Sequence, residues 1–169
     1  DGGRVRVPDF DVAVADTSGC GDSYTAGFIA GLHRGWDLER GALLVATPQE
    51  VALADVVRAK TMFDKVMIPI VGIVENMSYF ICDGCGKSHE IFSRGGAQRA
   101  AERFQIPYLG EIPLTPALRE GGDQGVPILI QDPGSEVSKR FLEIAAKLAG
   151  QLSIASERAR KSPGPNIIT

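Results

Sequence analysis

No Gly-x-x-x-x-Gly-Lys-Ser/Thr run, and no lysine-rich relative of it, occurs anywhere in the 169 residues. The loop whose backbone would cradle an ATP phosphate is not encoded here, so nucleotide hydrolysis by this chain alone is not expected. Long apolar runs are missing too. None approaches the roughly 20 residues needed to cross a bilayer, and the opening Asp1-Gly2-Gly3-Arg4 lacks the apolar core of a signal peptide. Nor is charge of one sign in excess: a formal net charge of -3 gives no chain-wide attraction to nucleic acid or to an anionic membrane, and neither is expected as a partner. Cysteine is scarce. Three are too few for a disulfide framework, and two of them share one Cys-x-x-Cys, which suits a reducing compartment where thiols bind metal. The expected location is the cytoplasm. With 44% hydrophobic and 23% charged residues, the chain has the makings of one ordinary core, so a single domain is the default.

What the chain does carry is Cys82-Asp83-Gly84-Cys85, followed by Gly86. Two thiols three positions apart, with glycine between and after them, can turn both sulfurs toward one soft metal or cluster. This is half a site. Two thiolates leave a tetrahedral zinc or a four-iron cluster short of ligands, so either other residues or a second copy of the chain must complete the shell. The remaining cysteine, Cys20, is remote and belongs to another motif.

Three runs around this pair resemble one family: Thr47-Pro48-Gln49-Glu50-Val51-Ala52-Leu53-Ala54-Asp55, Val71-Gly72-Ile73-Val74-Glu75-Asn76-Met77-Ser78-Tyr79, and the Cys82/Cys85 pair itself. From Gly41 to about Ser153 the chain resembles the C-terminal half of Mrp-type iron-sulfur carrier ATPases, of the ApbC and MinD branch of P-loop proteins. The resemblance implies a 4Fe-4S cluster held by Cys82 and Cys85 across a homodimer. It also implies scaffold proteins that load the cluster and apo-proteins that receive it. Asn76 matches an asparagine that contacts the nucleotide base in related proteins. ATP is the family's coupling nucleotide, a coupling that the missing phosphate loop should abolish here.

The leading segment resembles something else. Val7 to Leu32, with Asp16-Thr17-Ser18-Gly19-Cys20-Gly21-Asp22 at its centre, is similar to the second signature of ribokinase-like (PfkB) carbohydrate kinases. That resemblance implies Asp22 as the base acting on a sugar hydroxyl, with Gly19, Cys20 and Gly21 forming the anion-binding turn. The competing reading of Asp22 is an acidic residue stabilising a helix start, with Cys20 a small residue in a tight turn. The organisation expected is residues 1–40 as a kinase-like segment, 41–153 as a carrier domain without its phosphate-loop half, and 154–169 as a mobile tail.

The pattern of apolar residues predicts an α/β fold, and the resemblance makes it a truncated P-loop NTPase-like domain with a mostly parallel sheet flanked by helices. Strands are expected at Val12 to Ala15, Ala42 to Ala46, Ile68 to Val74 and Tyr108 to Ile112, with a last one at Pro127 to Ile130. Helices are expected at Ser23 to Leu32, after Thr47, at Gly95 to Phe104, and at Thr115 ending at Gly121-Gly122. Thr47, Pro48 and Glu50 have the form of a capping box, with Leu53, Val56, Val57 and Phe63 on the buried side. Ser135 to Leu152 repeats Val137, Phe141, Ile144 and Leu148 at one-face spacing.

Bland alternatives stand beside the metal reading. Cys82 and Cys85 also fit a structural zinc knuckle or an unused thiol pair. A redox dithiol fits less well, because the residues after Cys85 read as a loop or hairpin and not as a helix start. His89 is a further zinc candidate, or an exposed loop residue lacking a fourth partner. Asn76 also suits a side-chain turn at a strand end.

Overall fold

The computed structural model of the chain describes residues 5–7, 10–12, 27–28, 41–65, 68–82 and 84–161. Gly19, Cys20, Gly21 and Asp22 lie outside them, as do residues 13–15 of the first expected strand. β1 (Val5–Val7) and β2 (Phe10–Val12) form an antiparallel ribbon. The main sheet contains β3 (Gly27–Phe28), β4 (Ala42–Ala46), β5 (Ile70–Ile81), β6 (Ser88–His89) and β7 (Tyr108–Leu114). β5 is central, parallel to β4 on one side and to β7 on the other. Gly27 and Phe28, expected within a helix, instead pair antiparallel with Leu43 and Ala42. Glycine weakens a helix there, and the edge of β4 offers backbone partners.

Helix α1 (Glu50–Lys65) links β4 to β5, and α2 (Gly96–Phe104) precedes β7. Both crossovers step across the sheet in the same direction, so a shared hand puts both helices on one face. Ala42, Leu44, Val56, Phe63, Ile73 and Ala97 are buried together there. Past α3 (Pro116–Gln124) and α4 (Ile128–Gln131), α5 (Glu136–Lys161) covers the opposite face. Its Ile144 packs with Val74, Leu109 and Ile112, while Phe141 and Leu148 flank them. The result is the three-layer arrangement expected of strands that are apolar on both sides. None of the described helices is long and apolar enough to cross a membrane.

Several local expectations are corrected. α1 begins at Glu50, and the Thr47 hydroxyl points at Gln49 Oε1, 3.5 Å away, instead of closing a capping box with Glu50. Val57 is exposed, because the buried line through Leu53, Val56 and Phe63 leaves it on the helix flank. The strand expected at Pro127 to Ile130 is the helical turn α4. A four-residue apolar run does not distinguish the two states, and here the Ile128 carbonyl accepts from Asp132 N–H and from the Ser138 hydroxyl. α3 passes through Gly121 and Gly122 and stops at Gly125, whose φ is 70°. Gly121 is a packing glycine: a Cβ on it would lie 2.6 Å from the Val126 carbonyl oxygen. α5 runs to Lys161, past its expected end at Leu152, because Ala155, Glu157, Arg158, Ala159, Arg160 and Lys161 are all strong helix formers.

The junction of α1, α2 and the end of β4 is equally tight. A Cβ on Gly96 would approach the Pro48 carbonyl oxygen to 2.7 Å and Leu53 Cδ1 to 2.9 Å. Gly96→Ala must push backbone aside, and urea unfolding is expected to show a loss of about 1–3 kcal/mol.

Candidate metal centre

β5 does not end at Val74 as the apolar run suggests. It continues through a register shift against β7 between Asn76 and Phe80. At this bulge Met77 adopts φ 54°, and its N–H donates to Asn76 Oδ1 at 3.0 Å. This contact is to the next residue, not to the backbone two positions on as in the side-chain turn expected of Asn76, and it lies within the strand instead of at its end. Beyond the bulge, Phe80 pairs with His89 and Ile81 with Ser88 in an antiparallel hairpin.

The two cysteines occupy the tip of that hairpin. Cys82 N–H donates to the Lys87 carbonyl at 3.0 Å, and Gly86 N–H to the Cys82 carbonyl at 2.7 Å. Gly86 supplies the φ of 67° that the turn needs. A Cβ on Gly84 would touch Cys82 Sγ, 3.9 Å away, so glycine keeps that flank of the sulfur open. Cys82 is half-buried, Cys85 is exposed, and neither is in a disulfide. His89 lies beside the Phe80 ring, with centroids 6.5 Å apart. Among the described residues no three His, Cys, Asp or Glu side chains are grouped to hold one metal ion. The hairpin tip therefore offers two sulfurs close in sequence, one exposed and one half-buried.

Below the hairpin sits a polar network that sequence reasoning did not single out. Glu75, 0% exposed, accepts from the Gly95 N–H at 2.8 Å, the Ala97 N–H at 2.7 Å and the Ser78 hydroxyl at 2.5 Å. Its carboxylate thereby caps α2, whose own N-cap, Gly95, has no side chain to do so. The Ser78 hydroxyl also lies 2.9 Å from Glu111 Oε2. Arg94 grips Glu111 with two nitrogens and lies over the Tyr79 ring, 4.5 Å from its centroid. The available signal was a carboxylate directly after the run Val71-Gly72-Ile73-Val74, since a charge placed in a buried strand requires partners.

These contacts shift the groups involved. The Arg94 hydrogen bonds hold the Glu111 carboxyl below its ordinary range, against the opposing effect of burial. Burial, followed by the nearby Glu75 and Glu111 charges, pushes the Tyr108 phenol up. Arg94 and Glu111 also line an open cleft of about 520 Å³ with Arg140, Lys147, Glu90 and Glu143. Its three carboxylates offset its three cations, so it presents no one-sided anion site, and neither cysteine lines it.

Because Glu111 holds a proton less readily folded than unfolded, its contribution to stability is complete above the ordinary carboxylate range. It is lost as pH falls through the lowered folded value. Urea midpoints measured from neutral to acid pH are expected to fall for the native chain. Glu111→Gln should lower the neutral value and flatten the acid limb.

A family model described as ParA, NUBPL iron-transfer P-loop NTPase, matches residues 9–149. A protein of Arabidopsis thaliana described as an iron-sulfur protein required for NADH dehydrogenase, mitochondrial, is 50% identical over 105 residues, 62% of this chain and 34% of that one. The iron-sulfur cluster transfer protein NUBPL of Dictyostelium discoideum is 45% identical over 129 residues, 76% of this chain and 40% of its own. The iron-sulfur cluster carrier protein of Escherichia coli K12 is 45% identical over 112 residues, 66% of this chain and 30% of its own. Among solved structures, the cell division ATPase MinD of Pyrococcus furiosus superposes with a TM-score of 0.52 at 29% identity, covering 65% of this chain and 42% of that one. The chain thus spans about a third of the length of these curated relatives. The matched span runs through most of the segment read as kinase-like, and the matches support cluster transfer over the carbohydrate kinase alternative. On a match covering residues 9–149 of 169, the chain belongs to the ParA family, in the group whose model is described as NUBPL iron-transfer P-loop NTPase.

Proposed function

We propose that the chain holds an iron-sulfur cluster between two copies of itself through Cys82 and Cys85, and passes it to recipient apo-proteins. The observation that carries this reading is the hairpin tip, which presents two thiols three positions apart, Cys85 exposed and Cys82 half-buried. Two such tips supply the four thiolates that a 2Fe-2S or 4Fe-4S cluster takes, and the resemblance favours 4Fe-4S. The relatives described as cluster carriers support the same reading.

The cluster is cargo. Transfer is ligand exchange at iron: a recipient thiol gives up its proton and binds, while Cys85 or Cys82 leaves and takes a proton. No electron moves. Exposure of Cys85 favours it as the first to be displaced, and the half-buried Cys82 as the later one. Loading comes from scaffold proteins by the reverse exchange. Without a phosphate loop, nothing in residues 1–169 couples these steps to ATP. The expected compartment is the cytoplasm, although the Arabidopsis relative is described as mitochondrial.

Anaerobic loading with iron and sulfide, followed by size-exclusion chromatography and metal analysis, tests the proposal. The expected product is a coloured dimer with one cluster per two chains, and Cys82→Ser and Cys85→Ser should each remain colourless and monomeric. A monomer free of iron overturns the reading. One zinc per dimer bound in preference to iron overturns it in favour of a structural knuckle.

A further inference from the structure

The cysteine hairpin is joined to the body of the molecule by a strand that is interrupted just before it. Between Asn76 and Phe80 the register against β7 shifts, and Met77 takes a left-handed conformation that is unfavourable for a residue with a Cβ. Such a kink persists only where its surroundings determine it. A residue serving only to fill space there need not be polar. Ser78, 0% exposed, places its hydroxyl between Glu75 Oε1 at 2.5 Å and Glu111 Oε2 at 2.9 Å. A hydroxyl carries one proton, so it donates to one of these carboxylates at a time. Both carboxylates are fixed from behind. Glu75 is held by the Gly95 and Ala97 N–H groups at the start of α2, and Glu111 by Arg94. Whichever carboxylate accepts the proton, the hydroxyl ties the bulge to a group anchored on another element, the start of α2 through Glu75 or β7 through Glu111, four residues before Cys82.

We infer that Ser78 is a positioning residue for the cysteine pair, aiming the hairpin through its hydroxyl bridge between Glu75 and Glu111. The inference rests on the proposed cluster site for its functional meaning, but not for its test. Bulges commonly re-aim side chains beside functional sites, and here the re-aimed group is the pair of sulfurs.

Hydrogen exchange on the full chain without cluster reads the clamp directly. In Ser78→Ala, exchange of the Cys82 and Gly86 amides should accelerate about tenfold, the effect of losing one buried hydrogen bond, while amides of α1 and β4 keep their native rates. Glu111→Leu, which removes the clamp from its less buried side, should do the same, and it carries the test if Ser78→Ala does not fold. After loading, the visible circular dichroism of the cluster should change shape in both variants. Unchanged hairpin amides overturn the inference, as does acceleration spread evenly over the chain. If the native chain takes up no cluster, the functional reading falls while amide exchange still decides the role of Ser78.

Discussion

One buried carboxylate organises the region that matters. Glu75 occupies the centre of the sheet, where an unpaired charge would be prohibitive, and its two oxygens are filled by the first amides of α2 and by Ser78. The arrangement solves two problems together. A helix that starts at a pair of glycines gains the negative charge its N-terminus requires, and the central strand gains a fixed point before it kinks. Arg94 then extends the network outward through Glu111 to the face of Tyr79.

The rest of the fold places this point. Parallel neighbours on both sides of β5, with α1 and α2 on one face and α5 on the other, bury the apolar side chains of its first half. Its second half outruns β4, whose last pair is Ala46 with Glu75, and ends beyond the last β7 pair at Phe80. The cysteines are thus delivered at the carboxyl end of the strands, where open α/β sheets bind their ligands.

Much of this was legible from residue order because it depends on neighbours a few positions apart. Thr115 and Pro116 open α3 as their chemistry dictates, with Thr115 accepting from the Leu118 N–H, and Ser135 caps α5 in the same way. The face through Val137 and Ile144 is buried as its spacing predicts. The errors arise where partners are distant. Glu75 meets Gly95 twenty positions away and Ser78 meets Glu111 thirty-three away, so residue order shows a charge after an apolar run but not the partners that it caps or the bulge beside it. α4 and β3 were misread for a related reason: short segments take the state their tertiary partners offer. The Cys82/Cys85 spacing and the loop or hairpin after it were legible from residue order, whereas the continuation of β5 past Met77 into that hairpin was not.

Were two copies to share a cluster as proposed, the hairpin tips at the end of β5 would be the parts that have to meet, whether or not the two bodies touch. Contact confined to two narrow fingers would bury far less area than the roughly 1,200 Å² that stable protein pairs require. Association would then derive its strength from bonds to the shared inorganic core, and surrendering that core would itself dissolve the pair, leaving two separate carriers ready to be refilled.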